Sequence, residues 1–392
     1  MAELVAAREV LIVTGAGGVG KTTMAAALAL EAARRREGRV LVITVDPARR
    51  LADALGVDHI GHGATRIEAP DLIGEDARGE LWAAMLDARA GWDALVQLHA
   101  PDDDTRDRLV SNPLYRDVTG RFVHSHEYLA MERLHELHSS GVYDLIVVDT
   151  PPSAHAVDVI DAPARMIEFF ESRWLNWLTA PSRSRVVGLV ARPFYQVLER
   201  VLGPRFGEDL AEMFGLLDRL RPGFVARARE VARLVASSAT GIVVVTTSET
   251  TAMVEVDSLM RELTTRHLEI AGAVLNRVMP AEIVTDSGSS SARALGELLE
   301  RTSDLEDLAA GWGEEEAVVR TTLARLGERF ADVEALHRRD QASVAVLEAA
   351  TPLVTCVELF DVDIADLSTL SRVGSTLWAG VADRPDWSPQ EE

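Results

Sequence analysis

Residues 9–23 read EVLIVTGAGGVGKTT and run directly into MAAALALEAARRR. Residues 9–14 (EVLIVT) predict a strand: after Glu9 they are apolar or β-branched without alternation, the pattern of burial on both faces. Gly15, Gly17, Gly18 and Gly20 follow, residues that let a backbone turn sharply, and the alanine- and leucine-rich run after them favours helix. Strand, glycine loop and helix therefore occur in that order. The loop Gly15-Ala16-Gly17-Gly18-Val19-Gly20-Lys21-Thr22-Thr23 has the spacing G-x-x-x-x-G-K-T. In that context backbone N–H groups curl around phosphate oxygens, and the helix N-terminus adds positive potential. Lys21 reaches the β and γ phosphates, and the Thr22 hydroxyl ligates Mg²⁺.

Lys21 is the only lysine in the chain; every other cationic side chain except histidine is arginine. Arginine serves wherever a surface needs only positive charge, so the retained lysine marks a site that needs a compact point charge rather than a guanidinium fork. Its absence elsewhere also argues against a guanine-specific Asn-Lys-x-Asp motif, so ATP is the expected nucleotide.

Further apolar runs at 40–45 (VLVITV), 144–148 (DLIVV), 241–246 (GIVVVT), 270–275 (IAGAVL) and 353–359 (LVTCVEL) predict more buried strands, separated by helix-like segments. The expected fold is α/β, a doubly wound, mostly parallel sheet. Its core spans 8–160, 240–280 and 350–380, with helical insertions over 161–239 and 281–349. The stretch 281–293 (AEIVTDSGSSSAR) reads as a flexible loop and the tail from 381 as polar and frayed.

The 392 residues carry a formal charge of −22, which opposes a surface built to bind nucleic acid or anionic lipid. Neither a basic leader nor an apolar run of about 18 residues is visible, so a cytoplasmic chain without an integral membrane span is expected. One cysteine, Cys356, in a predicted strand, makes neither an internal disulfide nor a Cys-x-x-Cys site, and reads as a small buried hydrophobe.

Two carboxylates fall at predicted strand ends, where ligands of open α/β sheets bind. Asp46, in Asp46-Pro47-Ala48-Arg49-Arg50, is placed to orient or deprotonate an attacking water. Asp149 follows four apolar residues and begins Asp149-Thr150-Pro151-Pro152-Ser153-Ala154-His155, the arrangement that holds Mg²⁺ in phosphate-loop enzymes.

Together the three segments resemble the ArsA-type anion-transporting ATPase family, which includes the arsenite-pump ATPase and the eukaryotic targeting factor for tail-anchored membrane proteins. Gly17 to Thr23 match its deviant Walker A motif, Asp46 to Ala48 its switch I, and Asp149, Thr150, Pro152, Ser153 and His155 its switch II. The resemblance extends thinly through Asn276, in VLNRVMP, to the last strand. It implies Lys21 and Thr22 on phosphate and Mg²⁺, Asp46 activating water, and Asp149 holding the metal through water. It further implies Asn276 contacting adenine and His155 within the segment that couples the γ phosphate to domain movement.

The chain departs from the family at Ala16, where the signature lysine would cross a dimer interface to the partner's nucleotide. A homologous partner supplies that lysine, an arginine such as Arg49 or Arg50 replaces it, or the chain is a slow nucleotide switch. Arsenite transport is disfavoured because a soft-ligand site needs several thiolates. Too few cysteines exclude the iron–sulfur cluster of the nitrogenase iron protein.

Ile167, Phe170, Trp174 and Trp177 or Leu178 recur at helical spacing within an aromatic-rich stretch, either a groove for a hydrophobic client or ordinary core. The predicted helix 126–139, with His135, His138, Glu132 and Glu136, reads as a solvated amphipathic element, and Asp102 to Asp104 as loop. The expected activity is Mg²⁺-dependent ATP hydrolysis by a dimeric switch that handles a hydrophobic client or controls a membrane partner. Alternatives are a non-hydrolysing subunit of a heterodimer and a partitioning-type positioning ATPase.

Overall fold

Strand β1 (Val10–Gly15) is buried at all its positions, because a strand lies on each side of it and helices cover both faces. The computed structural model describes residues 1–44, 50–57, 60, 63–68, 78–85, 88–115, 125–150, 156–172, 204–280, 295–299, 302–364 and 366–379. The expected flexible loop 281–293 and the tail from 381 lie outside them. With β2 (Gly38–Thr44), β3 (Thr65–Arg66), β4 (Gly79–Met85), β5 (Leu145–Asp149), β6 (Thr240–Thr247), β7 (Ile270–Val278) and β8 (Val354–Glu358), β1 forms one sheet. Its order is β3-β4-β2-β5-β1-β6-β7-β8. Every pairing is parallel except β3 with β4, so the doubly wound α/β fold read from the sequence is present. From β1 the chain crosses to β2 on one side, and after β5 it returns past β1 to β6 on the other; ligands of such sheets bind at this change of direction.

The sequence missed β4. Its residues, GELWAAM, include no Val, Ile or Thr and favour helix on their own, but pairing with β2 from Gly38↔Gly79 to Thr44↔Met85 outweighs that preference.

One face of the sheet is covered by α1 (Ala2–Ala7), α2 (Lys21–Arg35), α3 (Arg50–Ala54) and α12 (Leu367–Ala379). The other carries residues of α6 (Ser125–Ser139), α7 (Ala156–Glu171), α8 (Pro204–Val235), α9 (Thr250–Thr265) and the end of α11 (Glu316–Glu348). Beyond that second layer lies a separate apolar cluster. There α4 (Ala88–His99), α5 (Asp103–Ser111), α6, α7 and α8 pack around Phe170, Phe224, Trp92 and Tyr128. Phe170 of the aromatic stripe is core, stacked on Phe224 with centroids 5.2 Å apart. Trp174, Trp177 and Leu178 lie outside the described residues. A smaller cluster joins α10 (Thr302–Trp312) to the start of α11. Among the described residues, no helix is long and apolar enough to cross a membrane.

Three local expectations change. Asp102 is a helix N-cap rather than loop: its carboxylate accepts from the Thr105 N–H at 2.7 Å, and Asp103 and Asp104 open α5, where acidic side chains suit the helix dipole. Glu132 is buried rather than solvated. It accepts from the Arg227 Nε of α8 at 2.6 Å, while burial pushes its carboxyl above the usual carboxylate range. Cys356 is partly exposed on β8 rather than fully buried. His138 and His135 turn to different partners, Glu9 at 2.7 Å and Ser139 at 3.3 Å.

Phe224 touches aromatic rings from two other helices, Trp92 of α4 and Phe170 of α7, so Phe224→Ala should cost about 3–5 kcal/mol through lost burial and a residual cavity. Urea unfolding followed by circular dichroism should show that loss, against under about 0.5 kcal/mol for a control at the exposed Val254.

Candidate nucleotide site

The site forms where β1 runs out. Gly15, at φ +147°, lies so close to β6 that a Cβ there would sit 2.0 Å from the Val245 carbonyl oxygen. Gly18 and Gly20 are also left-handed, at φ +74° and +95°, which suits glycine and closes the loop onto α2. Gly17 and Gly18 are exposed, with open space around both, whereas Ala16 and Val19 are buried. The loop thus presents bare backbone outward and anchors itself by two apolar side chains.

Gly20 is the N-cap of α2 and brings no side chain to the helix end. The first-turn N–H groups at Lys21, Thr22 and Thr23 have no acceptor within the helix, a geometry that suits an anion. Lys21 is buried, and its ammonium donates to the Ala16 carbonyl at 2.7 Å, folding back over the loop. Thr22 donates to Asp149 Oδ2 at 2.9 Å. Thr44, at the end of β2, donates to the same oxygen at 2.9 Å.

Three strands position this carboxylate. Asp149 ends β5 and pairs in register with Val13 of β1 and Thr44 of β2, so a fully buried acid is held at the carboxyl edge beside the loop. Thr150 then ties its N–H and hydroxyl to the Val13 carbonyl, at 3.3 and 2.9 Å. A hydroxyl and a carboxylate oxygen in contact are hard donors of the kind Mg²⁺ takes with phosphate oxygens and water, so the residues fit that ion.

Asn276 comes to the same place from the far side of the sheet. Its Nδ2 donates to the Val19 carbonyl at 2.8 Å, and its Oδ1 accepts from the Arg277 N–H at 2.9 Å. The structure therefore brings together Gly15 through Thr22, Asp149 and Asn276. Asp46 and His155, with Pro152 and Ser153, lie outside the described residues. Thr44 is the member that sequence reasoning missed; a threonine inside an apolar run gives no sign that its hydroxyl meets an acid on the next strand.

Residues 8–297 match the anion-transporting ATPase family. The ATPase GET3 of Paracoccidioides lutzii is 25% identical over 279 residues, covering 69% of this chain and 72% of that protein. The ATPase get3 of Schizosaccharomyces pombe is 25% identical over 277 residues, covering 69% and 73%. An uncharacterised protein of Streptomyces coelicolor is 31% identical over 302 residues, covering 76% and 68%.

Thr44→Val keeps the side-chain shape and removes one donor from a buried carboxylate. It should cost about 1–3 kcal/mol in thermal or urea unfolding of the nucleotide-free chain. An unchanged midpoint would mean that Asp149 does not depend on Thr44.

Proposed function

The chain belongs to the anion-transporting ATPase family, and on that footing we propose that it is a Mg²⁺-dependent ATPase working as a nucleotide-driven dimeric switch. The observation that carries the reading is the hydrogen bond from Thr22 to Asp149 beside the chain's only lysine, at the mouth of a glycine loop. Bound Mg²⁺ would neutralise charge on the β and γ phosphate oxygens. Thr22 and Asp149 would hold that ion, Asp149 through water. Lys21 would leave the Ala16 carbonyl for the phosphates, exchanging a neutral acceptor for a charged one, a stronger hydrogen bond. The N–H groups of the loop and of the α2 end would hold the remaining oxygens, and Asp46 would orient the attacking water.

ATP binding would draw two subunits together and hydrolysis release them, with the segment containing His155 passing the change to the helical layer. The output is handling of a hydrophobic or membrane-associated client by a cytoplasmic protein. The resemblance to the family that includes the targeting factor for tail-anchored membrane proteins supports that class of work, and the relatives named ATPase GET3 support the use of ATP.

Ala16 favours a second arrangement. It is buried beneath the loop and the chain has no other lysine, so a cation crossing from a partner would come from a homologue carrying the signature lysine. The dimer would then be a heterodimer and this chain its slow half.

Phosphate release should be measured across protein concentration, with Lys21→Ala as the blank. Turnover that rises with concentration and vanishes in Lys21→Ala and Asp149→Asn is the expected result for a self-completing dimer. Turnover at the blank level, raised by about 10³–10⁵ on adding a lysine-bearing homologue, is expected for the heterodimer. Failure to bind Mg²⁺–ATP at all would overturn the proposal.

A further inference from the structure

Asn276 ties Val19 of the glycine loop to a strand more than 250 positions away in the sequence, and the backbone around Asn276 is irregular at that contact. After a register shift between Ile242 and Val243, strand β7 pairs with β6 without a further break from Val243↔Gly272 to Thr247↔Asn276. Its register with β8 breaks between Asn276 and Val278. The residue in the break, Arg277, has φ +60°, a left-handed conformation that a long side chain rarely takes, and its N–H holds the Asn276 Oδ1. That bond orients the carboxamide: with the oxygen fixed, the NH₂ group points at the Val19 carbonyl. Gly20 completes the fit, because a Cβ there would lie 2.5 Å from Nδ2, so the approach requires glycine.

We propose that Asn276 is a positioning residue that fixes the Val19–Gly20 peptide in its phosphate-binding orientation. A trans peptide points its C=O and N–H in opposite directions. Holding the Val19 oxygen toward β7 therefore turns the Gly20 N–H away from β7, to the side where the phosphates bind. Without the clamp, a peptide next to glycine can rotate at little steric cost and present a carbonyl oxygen to the phosphates, where it repels them. Asn276 in this role acts through the loop and serves any ligand with a phosphate chain, whatever its base. The inference rests on the nucleotide reading above and gives Asn276 a task in the loop in place of the base contact that the resemblance implied.

The test uses the purified full chain and isothermal calorimetry with Mg²⁺–ATP, Mg²⁺–GTP and Mg²⁺–tripolyphosphate. Asn276→Asp keeps the acceptor for the Arg277 N–H but replaces the donor with a carboxylate oxygen that repels the Val19 oxygen; Asn276→Ala removes donor and acceptor without adding charge. Both should weaken ATP and tripolyphosphate by the same factor, about ten- to a hundredfold, the weight of one or two hydrogen bonds. The ratio of ATP to GTP affinity should stay unchanged, and the nucleotide-free variants, although their melting temperatures fall, should keep the circular dichroism of the unaltered chain at the temperature of the titration. Loss confined to ATP, with tripolyphosphate unaffected, would assign Asn276 to the base and overturn the inference. Unchanged affinities in both variants would also overturn it, leaving the nucleotide reading intact. An unaltered chain that binds none of the three ligands overturns the nucleotide reading, and this inference falls with it.

Discussion

Gly15 sets the constraint on which the site depends. β1 stays in register with β6 to its last residue, Gly15↔Val245, and at that pairing there is no room for a side chain. The strand therefore runs on beside β6 to Gly15, beyond its last pairing with β5 at Val13↔Asp149, and the loop that follows starts at the carboxyl edge of the sheet. Asp149 and Asn276 reach the loop with short side chains, and Thr44 reaches Asp149, for the same reason. A loop beginning two residues further out would need longer side chains or bridging waters to make the same contacts.

The parts legible in the sequence were those whose physical cause is local. Continuous apolar runs gave the central strands, since burial on both faces leaves no alternation to confuse with helix. Glycine spacing followed by a lone lysine gave the loop, because its conformation is fixed by residues adjacent in the chain. Asp102 and Thr105 stand at capping distance in the sequence, so that helix start was also readable there, although the run of acids suggested a loop.

Long-range partners hid the rest. Glu132 looks like a surface acid on an amphipathic helix until Arg227, 95 residues later, is placed against it. A buried acid of this kind specifies how α6 and α8 pack, since moving either helix would strand one charge in an apolar layer. β4 was hidden for a related reason. Its residues have weak strand preference, and only the exposed hydrogen-bonding edge of β2 makes them a strand. Asn276 was found by resemblance, yet its link to Val19 joins two segments that sequence spacing cannot relate.

The layout also bears on how chemistry at the loop could move the rest of the molecule. α7 begins at Ala156, shortly after Asp149, and is divided between two cores. Val159 and Ile160 in its first half pack with the sheet, whereas Ala162, Met166 and Phe170 pack in the helical layer with Phe224. Asp161 pairs with Arg266, just beyond α9, so its sheet-side half is tied to a second element as well. A helix shared in this way cannot rotate about its start without repacking one core or the other, and close-packed cores resist gradual deformation. In the switch proposed above, movement of the chain after Asp149 would therefore be passed on as a step between two packed arrangements of the helical layer.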